Sequence, residues 1–96
     1  MSQYGKLLLN KFAHEVLKSA HNCNFEIQGY TDNTGAKLYN LKLSKERAEA
    51  TANYLKSQGL NCTFSSIGFG DERPIVKNDT EENRSKNRRV EIYRRN

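Results

Sequence analysis

Apolar residues in the first part of the chain recur at helical spacing. Tyr4, Leu8, Phe12 and Val16 stand four apart, flanked by Leu9, Ala13, Leu17 and Ala20, while Lys6, Lys11, Glu15 and Lys18 fall elsewhere. This pattern predicts an amphipathic helix over residues 3–20. Asn24 to Thr31 (NFEIQGYT) is β-prone and runs into the turn-rich stretch Asp32-Asn33-Thr34-Gly35. Residues 36–43 read as a polar loop punctuated by Leu38, Leu41 and Leu43. Ser44 then reads as the N-cap of a second helix, with Glu46 in its first turn and Gly59 just past its end near Gln58. Ala48, Thr51, Ala52 and Leu55 share one face of that helix, and its small residues suit close packing on a sheet. Cys62 to Gly68 predicts a second strand. Thr80 caps a short helix from Glu81 to about Asn87, and Arg89 to Arg94 alternates as a third strand with Val90 and Ile92 on one side. The order helix, strand, helix, strand, helix, strand predicts an α/β (α+β) two-layer domain with helices on one face of a small sheet.

Length narrows this to one domain spanning residues 1–96, since 96 residues at 35% hydrophobic content leave no room for a second core. No apolar run approaches the roughly 18 residues of a membrane span, and Met1 to Lys6 lacks the apolar region of a signal peptide. Sixteen basic against eleven acidic residues give a net charge of +5, which favours acidic partners such as nucleic acid, anionic lipid or an acidic polymer.

The chain echoes itself. Cys23-x-Phe25-x-x-x-Gly29-x-x-Asp32 matches Cys62-x-Phe64-x-x-x-Gly68-x-x-Asp71 at a constant offset of 39. Two strands joined by a helix are usually parallel. As neighbours in that register, Cys23 and Cys62 would lie side by side at one end, within reach of a disulfide. Two free thiols, or an intervening strand, are the alternatives. Two cysteines alone do not make a four-ligand zinc site.

Enzymatic motifs are absent. His14 and His21 are seven apart, which fits neither an HExxH pair nor a triad, and no G-x-S-x-G occurs. Gly68-Phe69-Gly70 is neither a Walker loop nor a dinucleotide fingerprint, and the adjacent Asp71-Glu72 make a poor acid/base pair. We therefore expect no enzyme, no metal and no cofactor. A nucleic-acid module is the rival reading, because Arg84, Lys86, Arg88, Arg89, Arg94 and Arg95 crowd the tail beside Tyr93. Glu81, Glu82 and Glu91 interrupt that run. The favoured constellation is Asp32, ending the first strand, with Arg47, expected in the first turn of the following helix. Ligands of open sheets gather at the carboxyl ends of strands, where such a pair would hold a zwitterion. The same two residues also suit a salt bridge to each other.

From Ile27 to Tyr93 the chain resembles the OmpA-like peptidoglycan-binding domain, found in OmpA itself, peptidoglycan-associated lipoproteins and the flagellar stator protein MotB. The motifs that carry the likeness are Gly29-Tyr30-Thr31-Asp32, Asn33-Thr34-Gly35, Tyr39-Asn40-Leu41-x-Leu43-Ser44-x-x-Arg47-Ala48, Gly68-x-Gly70-x-x-x-Pro74 and Asn87-Arg88-Arg89-Val90-Glu91-Ile92. The resemblance implies non-covalent binding of peptidoglycan through the meso-diaminopimelate of its stem peptide. Asp32 and Arg47 would grip that residue, and Thr31, Asn40, Leu43 and Arg88 would line the site. It also implies a mixed sheet, a periplasmic place in the cell envelope, anchoring of a membrane protein or envelope complex to the cell wall, and a tether to the outer or inner membrane outside this chain. Three positions depart from the pattern. Tyr30 replaces a motif histidine, Asn83 replaces a glycine, and no strand is readable before the first helix. A three-stranded sheet, a shortened chain or a partner chain, as in a homodimer, would account for the last.

Overall fold

The computed structural model describes residues 3–19, 23–59 and 62–95. The elements are α1 (Gln3–Ser19), β1 (Asn24–Tyr30), α2 (Lys37–Ser57), β2 (Thr63–Gly68), α3 (Glu81–Asn87) and β3 (Arg89–Arg94). Among the described residues the strands form one mixed sheet in the order β2-β1-β3. β1 and β2 run parallel, from Asn24 opposite Thr63 to Gly29 opposite Gly68, a register of 39 at every pair. β3 runs antiparallel to β1, with Ile27 opposite Ile92 and Tyr30 opposite Arg89. The repeat in the sequence is thus the pairing register of the sheet. At its start Cys23 and Cys62 are joined as a disulfide, with Cα atoms 4.8 Å apart.

Alternation along β1 separates two faces. Phe25 and Ile27 point to the helix layer and form the core with Ala13, Cys23, Ala48, Ala52 and Leu55. Leu9, Phe12, Phe64, Val90 and Ile92 pack around them half-buried, and Phe12 meets Phe25 edge-on at 5.4 Å. The apolar stripe expected on α1 is only partly used, since Leu8 remains 52% exposed. The side chains of Tyr4, His14, Val16 and Leu17, together with Ala20 and His21, lie outside the described residues.

Two glycines set how near α2 lies. A Cβ on Gly29 would overlap the Ser44 carbonyl, and one on Gly68 would stand 2.5 Å from the Lys45 nitrogen and 2.6 Å from the Leu41 carbonyl oxygen. Only glycine permits this backbone-to-backbone approach. It also explains why α2 begins earlier than the sequence predicts. Ser44 is not an N-cap but a fully buried mid-helix residue, and the helix starts at Lys37 after Ala36, which offers no side-chain cap. The Ser44 hydroxyl donates to the Leu41 carbonyl and accepts from the Gly70 N–H at 2.9 Å. It thereby stitches the helix to the loop after β2. The third helix follows the expected pattern, with the Thr80 hydroxyl accepting from the Asn83 N–H.

The face without helices closes over itself. The Arg73 guanidinium lies 4.2 Å from the Phe69 ring centre, Phe69 stacks on Tyr30 at 5.3 Å, and the Arg89 guanidinium covers Tyr30 at 3.8 Å. These four layers leave Tyr30 only 2% exposed. The residue standing for the motif histidine is therefore a stacked structural ring, with its hydroxyl donating to Gln28.

Candidate functional site

The site begins where β1 ends. Thr31 continues the sheet by donating its N–H to the Gly70 carbonyl at 2.7 Å, and its buried hydroxyl donates to the Asp32 carbonyl. Asp32 then leaves the sheet with a nearly buried side chain. Its Oδ1 accepts the Thr34 N–H at 2.8 Å, a local turn of the kind aspartate favours. Its Oδ2 accepts from Nη1 of Arg88 at 2.6 Å. Burial pushes the Asp32 pKa upward, but the hydrogen bonds from Thr34 and the Arg88 guanidinium outweigh it and hold the carboxyl below its ordinary value.

Arg88 is the hub of this end. It sits between α3 and β3, its backbone fixed by a hydrogen bond from its N–H to the Arg84 carbonyl. Its second terminal nitrogen donates to Glu81 at 2.7 Å. The Glu81 and Asp32 carboxylates together raise the Arg88 pKa above the ordinary guanidinium value.

The remaining expected residues take distinct places. Asn40 is buried and braces the loop, donating from Nδ2 to the Thr34 carbonyl at 3.0 Å. Leu43 is half-buried on α2. Arg47 is not in the first turn of its helix, because α2 starts ten residues earlier at Lys37. Its side chain is exposed and has no hydrogen-bond or ion-pair partner among the described residues. Nor does Arg47 bridge to Asp32, whose partner is Arg88. Arg47 and Arg88 instead line one groove of about 810 Å³, floored by Leu8, Phe12, Val90 and Ile92. Asp32 is not part of that lining, but the Arg88 that it holds is.

Glu81 is not singled out for the site by the sequence, where it stands only as the start of the third helix and as an interruption of the basic run. Its spacing of seven from Arg88, two helical turns, was the available signal. Asn87 is not singled out for the site either. Fully buried, it accepts from the N–H groups of Ile75 and Val76 and donates to the Val76 carbonyl and to Asn78, tying the long loop down beside Arg88. The basic tail is not an open stripe. Arg84 pairs with Glu81, Lys86 with Glu82, Arg89 with Glu91 and Arg95 with Glu26. Among the described residues no cluster of histidine, cysteine, aspartate and glutamate could hold a metal ion, and no helix is long and apolar enough to cross a membrane.

Residues 2–88 match the OmpA family. The peptidoglycan-binding protein ArfA of Mycobacterium tuberculosis (strain ATCC 25618 / H37Rv) is 43% identical over 86 residues, covering 88% of this chain and 26% of ArfA. The probable lipoprotein YiaD of Escherichia coli (strain K12) is 40% identical over 78 residues, covering 80% of this chain and 36% of YiaD. The chain therefore spans only 26% to 36% of the length of these relatives. The peptidoglycan-associated lipoprotein from Burkholderia pseudomallei superposes with a TM-score of 0.88 at 30% identity, over 99% of this chain and 80% of that one. The C-terminal domain of Helicobacter pylori MotB gives 0.87 at 30% identity, over 100% of this chain and 75% of that one.

Proposed function

We propose, since this chain belongs to the OmpA family, that it binds peptidoglycan without making or breaking a bond, and that it recognises the meso-diaminopimelate of the stem peptide. Asp32 takes the ligand's ammonium and Arg47 its side-chain carboxylate. Thr31 and Asn40 hold the loop that presents Asp32, Leu43 backs it from α2, and Arg88 flanks it. In this reading the domain works in the periplasm, anchoring a membrane protein or envelope complex to the cell wall through a tether outside this chain. The observation that supports it most is a carboxylate kept ionised at the open end of β1 with a guanidinium, Arg47, that has no partner among the described residues, one arginine away. A nucleic-acid role finds less support, because four cations of the basic tail besides Arg88 are already paired with carboxylates.

Sedimentation with purified sacculi tests this, with free diaminopimelate as competitor. The domain is expected to co-sediment, to be released by competitor, and to bind lysine-type peptidoglycan poorly. Asp32→Ala and Arg47→Ala should each lower affinity by about 30-fold or more, the usual effect of stranding one partner of a desolvated charge pair. Undiminished binding by both folded variants would dismiss the site. Binding to oligonucleotides with a steep salt dependence, and none to sacculi, would favour the nucleic-acid reading instead.

A further inference from the structure

Asp32 is already engaged in the free protein. Its Oδ2 holds one terminal nitrogen of Arg88 at 2.6 Å while Glu81 holds the other at 2.7 Å. The two carboxylates sit in different surroundings, the Asp32 side chain 10% exposed and that of Glu81 68%. Arg88 thus spans from a nearly dry anion to a wet one. A ligand ammonium approaching Asp32 meets a carboxylate that is already neutralised.

We propose that Arg88 is a specificity-determining residue of this site: its guanidinium occupies the cation position on Asp32, and only a ligand that brings an anion along with its ammonium displaces it. This rests on the reading of Asp32 as the ammonium-binding group.

The argument is one of charge exchange. Replacing a guanidinium by an ammonium on Asp32 gains little, because one ion pair is broken for each one made. A simple amine also leaves three cations at this end of the domain, the amine itself, Arg88 and Arg47. The latter two already share one groove, and the exposed Glu81 compensates them weakly because solvent screens it. A zwitterion reverses the balance. Its ammonium replaces Arg88 on Asp32, and its carboxylate lies between Arg88 and Arg47, whose planar forks suit bidentate pairing. Two ion pairs then stand where one stood. Rejection of the wrong ligand comes from the charges it strands rather than from a poor fit. The motion needed is small, since the Arg88 backbone is held at the end of α3 and only its side chain has to turn.

Titration calorimetry with two probes tests this. Free meso-diaminopimelate carries ammonium and carboxylate groups, whereas cadaverine carries the ammoniums on an alkyl chain with no carboxylate. The unmodified protein should bind diaminopimelate in clear preference to cadaverine. In Arg88→Gln the preference should shrink by about tenfold or more, with cadaverine binding more tightly than before. Parallel losses for both probes, with the preference intact, would make Arg88 a structural brace and overturn the proposal. A measurement on the unmodified protein covers the case in which the variant does not fold. The Arg88 guanidinium resonance should move on saturation with diaminopimelate and stay in place with cadaverine at equal concentration. A resonance that stays in place with diaminopimelate bound overturns the proposal while sparing the function. Failure of the unmodified protein to bind either diaminopimelate or sacculi overturns both.

Discussion

The parallel pair β1 and β2 is closed in opposite ways at its two ends. At the start, Cys23 and Cys62 are joined covalently. At the finish, Gly29 and Gly68 occupy the equivalent positions, and their missing side chains let the α2 backbone rest on the strands. The disulfide acts chiefly on the unfolded chain, by removing conformations from it. The glycines act on the native state, because only there does the helix come close. The site lies at the glycine end. Its geometry depends on packing, and the covalent constraint is kept away from the residues that must move.

The comparison breaks most severely at the glycines. Gly29→Val would push a side chain into the Ser44 backbone, which cannot yield without displacing α2. We expect a loss of about 4 kcal/mol or more, measured by thermal or denaturant unfolding. A folded variant of near-normal stability would show that the helix approach is adjustable.

Opening the other end should cost somewhat less. The bridge closes a loop with a sequence separation of 39, for which the chain-entropy argument gives roughly 3–4 kcal/mol. The Cys23→Ser/Cys62→Ser double variant should unfold at lower temperature by about that equivalent, yet its folded fraction should bind sacculi as the unmodified chain does. Peptide mass spectrometry without reductant, on material made under oxidising conditions, should recover the two cysteines linked. Two freely alkylated thiols would remove the covalent half of the comparison.

The smallest effect is one of pH. The folded-state pKa of Asp32 is depressed below its ordinary value of 3.8. Its contribution to stability is therefore complete above that value and is lost as pH falls through the depressed one. Denaturant titrations should show an acid loss of stability that is smaller in Asp32→Asn, while unfolding between pH 5 and about 7 should be nearly flat for this group. Sacculus binding should follow the same acid limb, since protonated Asp32 holds no cation.

Much of this arrangement is readable in the chain before any coordinates. The offset of 39 specifies the β1–β2 register and places the cysteines together, because strand pairing copies a sequence repeat directly into space. The start of α2 is not readable in the same way. Ser44 looks like a cap by residue type, and only the approach of Gly29 and Gly68 reveals it as an interior position, which moves Arg47 from the first turn into the third. The bond between Asp32 and Arg88 spans 56 residues. No local pattern marks it, and Arg47 was the equally charged alternative nearer in sequence. Both arginines stand in motifs that resemble the family's, but the motifs do not say which of them holds the aspartate in the free protein.

One last feature bears on how the molecule can be watched. The chain has no tryptophan, so its near-ultraviolet spectrum comes from tyrosine together with phenylalanine and the Cys23–Cys62 disulfide. Among the described tyrosine side chains only Tyr30 is buried, clamped between a phenylalanine ring and a guanidinium with its hydroxyl tied to Gln28. Tyr39 faces solvent, Tyr93 is exposed with its hydroxyl donating to Glu91, and Tyr54 is half-buried with its hydroxyl donating to Asn10. A rigidly held ring in asymmetric surroundings contributes strongly to circular dichroism in that region. The tyrosine part of the band therefore carries a signal from the stack beside Arg88, and loosening of this end of the sheet becomes visible in an unlabelled protein.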